Sequence, residues 1–182
     1  MTTAVNITNS TRLSFALMDE SDSELLFQLD QDPEVMRFIT AGKPTSREEI
    51  TTIYIPRIQS YTNEEKGWGL WKITITATQE FIGWILVRPM DFFTDTPQHN
   101  NLELGWRFTQ ASWGKGYATE AANAIKNALI EQTNVRNFSA LAVEGNIASI
   151  NIMKKLGMTF QKKEIHKDPI WEEEVVYYQL AI

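Results

Sequence analysis

The chain has 182 residues, of which 43% are hydrophobic and 22% charged, a balance that fits one folded domain with its own core and excludes a disordered chain. It contains no cysteine and two histidines, His99 and His166, which excludes disulfides, thiolate catalysis and cysteine-ligated metal and gives no reason to expect any metal site. The net charge of −6 argues against a general nucleic-acid binder, and neither an apolar run near the roughly 18 residues of a membrane span nor a basic-then-apolar leader is present, so the expected compartment is the cytoplasm.

Residues 1–10 read as a flexible tail on a single domain spanning 1–182. Residues 13–17 alternate as a short strand. Residues 22–38 take helical spacing through Leu25, Leu26, Leu29, Val35 and Met36, with Ser21 as N-cap, Glu24 completing a capping box, and Pro33 breaking the helix in two. A second helix opens at Thr45 or Ser46 with Glu48 and Glu49 in its first turn. Pro56 should kink or split it, because proline removes a backbone donor and crowds the preceding turn.

From Trp68 the period changes to two. Residues 68–76 and 81–87 form an antiparallel hairpin. A polar loop with Asp91, Asp95, Pro97 and His99 follows, then a strand over 102–108. The remainder alternates between helix and strand. A helix over 116–132 carries Ala118, Ala121, Ala122, Ile125 and Leu129 on one stripe. A strand over 138–143 precedes a helix over 146–156 stopped by Gly157, and residues 158–165 and 171–182 close as a hairpin. The fold class is α+β (α/β), a mixed and mostly antiparallel sheet with one parallel crossover through the 116–132 helix.

The segment between the 102–108 strand and the 116–132 helix carries the chemistry. It runs Gln110-Ala111-Ser112-Trp113-Gly114-Lys115-Gly116-Tyr117-Ala118-Thr119-Glu120-Ala121. A glycine loop that opens directly into a helix aims several free backbone N–H groups at one point, where the helix dipole also favours negative charge. Gly114 and Gly116 permit unusual dihedrals and a close approach, and Lys115 adds a cation. The physics allows a pyrophosphate cradle or a purely structural turn.

The run Trp-Gly-Lys-Gly-Tyr-Ala-Thr-Glu-Ala resembles the acetyl-CoA pyrophosphate loop of the GNAT superfamily, and more narrowly the branch of the Rim-type ribosomal-protein N-terminal acetyltransferases. About thirty residues on, the stretch 143–158 is similar to that family's strand, Asn-x-x-Ser helix and Lys-Leu-Gly-Met ending. The resemblance covers nearly the whole chain. It implies the GNAT fold: a twisted sheet with helices on both faces and two splayed strands that admit acetyl-CoA as cosubstrate, without a metal.

By that resemblance the strand at Trp106, Arg107 and Phe108 would hydrogen-bond the CoA arm. Backbone N–H groups of Trp113, Gly114, Lys115, Gly116, Tyr117, Ala118 and Thr119 would hold its pyrophosphate. Asn146, Ser149 and Met153 share one helical face by spacing and would face the pantetheine and thiol. Two positions depart from the family pattern. Ala111 stands where many members have Gln or Arg, and Met153 stands where many carry a tyrosine that protonates the leaving thiolate. Ser149, one turn earlier, is the natural substitute acid. Glu103 lies where the family often places an acidic residue. A carboxylate with raised pKa there would take the proton from the attacking ammonium, its alternative being an ordinary strand ion pair.

The resulting expectation is an N-acetyltransferase working by direct attack in a ternary complex, as a monomer or homodimer. The acceptor is a protein N-terminus, such as that of a ribosomal protein, or a small amine such as a polyamine, amino-sugar or antibiotic. A non-catalytic acyl-CoA-binding module is the alternative of a different class. The acidic surface suits a cationic acceptor or simply keeps the chain soluble.

Overall fold

The computed structural model describes residues 3–182. Its elements in chain order are β1 (Leu13–Leu17), α1 (Ser23–Leu29), α2 (Arg47–Glu49), α3 (Ile55–Tyr61), β2 (Gly69–Ile75), β3 (Glu80–Met90), β4 (Gln98–Phe108), α4 (Tyr117–Gln132), β5 (Asn137–Ala142), α5 (Ile147–Lys155), β6 (Thr159–Asp168) and β7 (Trp171–Ala181). The strands form one seven-stranded sheet in the order β1-β2-β3-β4-β5-β7-β6. Every neighbouring pair is antiparallel except β4 and β5, which are parallel and joined through α4.

Strand alternation sorts side chains onto two faces, and each face buries its apolar set under helices. On one, Ile73, Ile85, Val87 and Leu104 pack with Ala121, Ala122, Ile125 and Leu129 of α4 and with Ile150 and Met153 of α5. On the other, Leu70 and Leu86 pack with Leu26 of α1, Ile58 and Tyr61 of α3, and Ile50. β4 therefore sends Leu102, Leu104 and Phe108 toward α4 and α5, and Glu103 toward the α1–α3 side, where it meets Arg88.

Five local expectations are corrected. Residues 1 and 2 of the expected tail lie outside the described residues, but Val5 and Ile7 are buried in the main core, and the Val5 amide donates to the Glu64 carbonyl. The cap before α1 is Asp19, which forms its capping box with Asp22 around a 3-10 turn at Glu20–Asp22, in place of Ser21. After Leu29 the chain runs in turns through residue 42 rather than as a second helical piece. Ser46 caps α2 as expected. Pro56, however, does not break the path: a π-helical stretch, Ile50–Tyr54, absorbs its missing donor and leads into α3. The fifth difference is β4, which begins at Gln98 and so takes in the end of the expected polar loop.

Candidate active site

β4 and β5 pair only over Asn101–Asn137, Leu102–Phe138 and Glu103–Ser139. Beyond that point β4 remains bonded to β3 as far as Phe108, and β5 to β7 as far as Ala142. The two parallel strands thus diverge, leaving the inner backbone edges of residues 104–108 and 140–142 without a strand partner. Unpaired strand edges accept an extended chain of amides. Glu103 is the last β4 residue in register with β5, at the vertex of the split.

The glycine loop leaves the open end of β4. Gly114 and Gly116 have φ of 71° and 78°, the left-handed region that glycine enters without strain. With that backbone, the Trp113 amide donates to Gln110 and the Glu120 amide to Gly116, while the six amides between them, 114 through 119, find no acceptor among the described residues. α4 starts at Tyr117, so its N-terminal dipole adds to the same positive end. The indole of Trp113, 47% exposed, pins the loop back by donating to the Phe108 carbonyl at 2.9 Å.

A second tether comes from a residue the sequence reading passed over. Arg12 donates from Nε to Glu120 Oε2 at 2.7 Å and from Nη1 to the Lys115 carbonyl at 2.9 Å, and it lies 4.2 Å over the Tyr117 ring. Glu120 also accepts from the Ser10 hydroxyl and the Arg12 amide. Glu120 therefore fastens the start of β1 to the loop and holds its shape.

α5 borders the other side of the split. Asn146 is its N-cap, accepting from the Ser149 amide at 3.2 Å. Ser149 Oγ accepts from Trp106 Nε1 at 2.9 Å, so a β4 side chain reaches across to α5. The Ser149 hydroxyl proton is donated to no acceptor among the described residues, which leaves it available. Met153 corrects the expectation of a shared cofactor-facing row: it is 0% exposed, inside the core beneath α5. Met153→Ala should cost about 2–5 kcal/mol of folding stability by leaving a cavity while coenzyme A affinity stays within twofold, as measured by chemical denaturation and calorimetry on one preparation. Trp68 is also buried in the core, edge-on to His99.

On the α1–α3 face lies a cavity of about 320 Å³. Leu26, Ile50, Leu70 and Leu86 supply apolar wall, and Tyr54, Tyr61 and Trp84 supply rings. Burial pushes the Tyr61 phenol up to about 12, so it is neutral in the folded protein at any ordinary pH. Three ion pairs surround the space: Arg107 to Asp30 at 2.7 Å, Arg57 to Asp168 at 2.7 Å, and Arg88 to Glu103 at 2.8 Å. Glu103 is accordingly both the residue at the vertex and a partner in a buried pair. Asp30, Arg57 and Asp168 were not legible as site residues, because each joins the site from a different segment of the chain.

The Arg57–Asp168 pair clamps the β6–β7 turn onto α3, with side chains only 13% and 8% exposed. Burial by itself would raise the Asp168 carboxyl, but the His166 ring, the Ile170 amide and the charges of Arg57 and Arg88 outweigh it and hold the group well below the usual carboxylate range. A depressed folded-state pKa stabilises the fold above the unfolded value, about 3.9, and that stabilisation is lost as pH falls from there toward the folded value. Asp168→Asn, which strands Arg57, should destabilise by about 3 kcal/mol at neutral pH. Thermal melts of both proteins should show the gap constant above about pH 5 and closing below about pH 4.

Among the described residues no helix is long and apolar enough to cross a membrane. A family model, described as the acetyltransferase (GNAT) domain, matches residues 12–159. The chain is 28% identical over 177 residues to the FsC-acetyl coenzyme A-N(2)-transacetylase of Aspergillus fumigatus, covering 93% of this chain and 74% of that protein. It is 30% identical over 171 residues to the uncharacterized protein YkkB of Bacillus subtilis, covering 92% and 91%. Among solved structures, the ribosomal L7/L12 alpha-N-protein acetyltransferase RimL in complex with coenzyme A superposes with a TM-score of 0.72 at 17% identity, over 99% of this chain and 98% of that one. AAC(6')-Ib in complex with ribostamycin and coenzyme A superposes with a TM-score of 0.76 at 16% identity, over 93% of each. These two structures share the fold.

Proposed function

The chain belongs to the GNAT acetyltransferases and is an acetyl-CoA-dependent N-acetyltransferase, and from that premise we propose that it passes the acetyl group to the primary amine of a small molecule by direct attack in a ternary complex. The observation that carries the reading is the run of six unengaged amides, 114 through 119, at the open end of the β4–β5 split. A diphosphate there would satisfy donors that the protein leaves free. The unpaired β4 edge at Trp106, Arg107 and Phe108 would take the amide-bearing arm, placing the thioester between Ser149 and the vertex.

Each polar group then has one task. Glu103 takes the ammonium proton, directly or through water, with Arg88 fixing the carboxylate's orientation through one oxygen. Ser149 donates to the departing thiolate, held in place by Trp106. Neighbours of this fold are named for acceptors of both kinds considered from sequence, a ribosomal protein and an aminoglycoside. The cavity's volume is that of a small-ligand site, which favours a small amine over a polypeptide.

Thiol release from acetyl-CoA with a panel of amines tests the reading. Release that depends on an amine and falls in Glu103→Gln, a variant that keeps an acceptor oxygen for Arg88, supports it. Tight binding of coenzyme A with no turnover for any amine favours a binding module instead.

A further inference from the structure

The cavity gathers guanidiniums that the acidic total of the chain does not reveal. The whole protein carries −6, yet the ionic groups at the cavity are three guanidiniums and three carboxylates already committed to them. A guanidinium offers five N–H donors in a rigid fork. Here each gives one to its carboxylate: Arg57 through Nη2, Arg88 through Nε and Arg107 through Nη1. Among the described residues their remaining nitrogens donate to no acceptor, and Arg107 Nε is enclosed without one. Burial also draws the Arg57 guanidinium below its ordinary pKa, against the opposing pull of Asp168. The cavity is therefore left with guanidinium donors that have no acceptor.

Resting on the transferase reading above, we propose that the acceptor is a small amine that carries its own carboxylate, an apolar amino acid or a close homologue of one. The carboxylate sits against the guanidinium cluster, centred on Arg107, whose fork suits bidentate recognition of that group. Leu26, Ile39, Ile50 and Leu86 receive the hydrocarbon side chain, and the amine faces the β4–β5 split. A polyamine or an aminoglycoside is the wrong chemistry for this space. Both cavity-lining carboxylates, Asp30 and Asp168, are already paired with arginines, so a second ammonium would find no carboxylate free of a competing cation.

Calorimetry with N-acetyl-leucine and N-acetyl-leucinamide, products that differ only in that charge, tests the proposal on the protein saturated with coenzyme A. The acid should bind at least tenfold tighter than the amide, as expected when a site built for a group meets an analogue lacking it. The ratio should fall to about one in Arg107→Gln, a loss of at least that same tenfold. Because Arg107→Gln leaves Asp30 unpaired, the double variant Asp30→Asn/Arg107→Gln gives the same comparison with neither charge present. In the transfer assay, leucine should exceed leucinamide in kcat/KM. Equal or tighter binding of the amide overturns the proposal, as does faster acetylation of spermidine than of leucine. Uptake of coenzyme A, titrated first, reads the transferase assignment by itself. Coenzyme A binding without preference for the acid sinks the carboxylate alone, whereas no coenzyme A binding sinks both.

Discussion

Gly114→Asp should weaken coenzyme A binding by roughly 30- to 1000-fold relative to Gly114→Asn. A Cβ at residue 114 has no atom within 4 Å, so neither side chain collides with the protein. Both variants meet the same left-handed φ of 71°, which Asp and Asn tolerate better than other non-glycine residues. What separates them is one negative charge at the centre of the free amides. Two unit charges about 4 Å apart interact by about 4 kcal/mol at the effective dielectric of a protein surface, and solvent screening lowers this toward about 2 kcal/mol. Calorimetric titration at two salt concentrations checks it: the gap should narrow at high salt. Equal affinities would mean that the loop does not hold the diphosphate.

The second large effect is expected from Ser149→Ala, which should lower kcat by about 100-fold with little change in the affinity for acetyl-CoA. A positioned proton donor contributes about 10²- to 10⁴-fold, and a thiolate, being a good leaving group, needs the lower end of that range. The hydroxyl accepts from Trp106 and has its own proton unspent, so the variant removes a donor and leaves one indole N–H without its acceptor. Trp106→Phe separates these consequences, since it releases Ser149 from its anchor but keeps the hydroxyl. Its kcat should fall less than that of Ser149→Ala. A Ser149→Ala enzyme that turns over at the parent rate would move the acid role elsewhere.

Which parts of this site were legible follows from how locally each is encoded. The glycine loop and the first turn of α4 lie within a dozen consecutive residues, and backbone amides need no side-chain partner, so their arrangement is a local matter of dihedrals and helix start. Ser149 was legible for the same reason, through its spacing from Asn146. Met153 was misread because spacing along a helix gives a face but not what that face meets. Two residues in the same row, one turn apart, ended on opposite sides of the protein surface. The π-helical stretch before Pro56 was hidden because its alternative, a kink, is equally consistent with the sequence.

The one-dimensional pattern by itself determined a mixed sheet with a parallel crossover, the position of the glycine turn before α4 and the absence of cysteine chemistry, because periodicity, glycine placement and composition act over short stretches. Only the tertiary structure decided that Val5 and Ile7 pack into the core, that Arg12 and Glu120 brace the loop across 108 positions, and that Glu103 shares its carboxylate with Arg88. It also decided that an acidic chain builds an arginine-lined cavity. Charges brought together from α1, α3, β3, β4 and the β6–β7 turn have separations set by packing, and electrostatic energy depends on those separations rather than on the sum of charges along the chain.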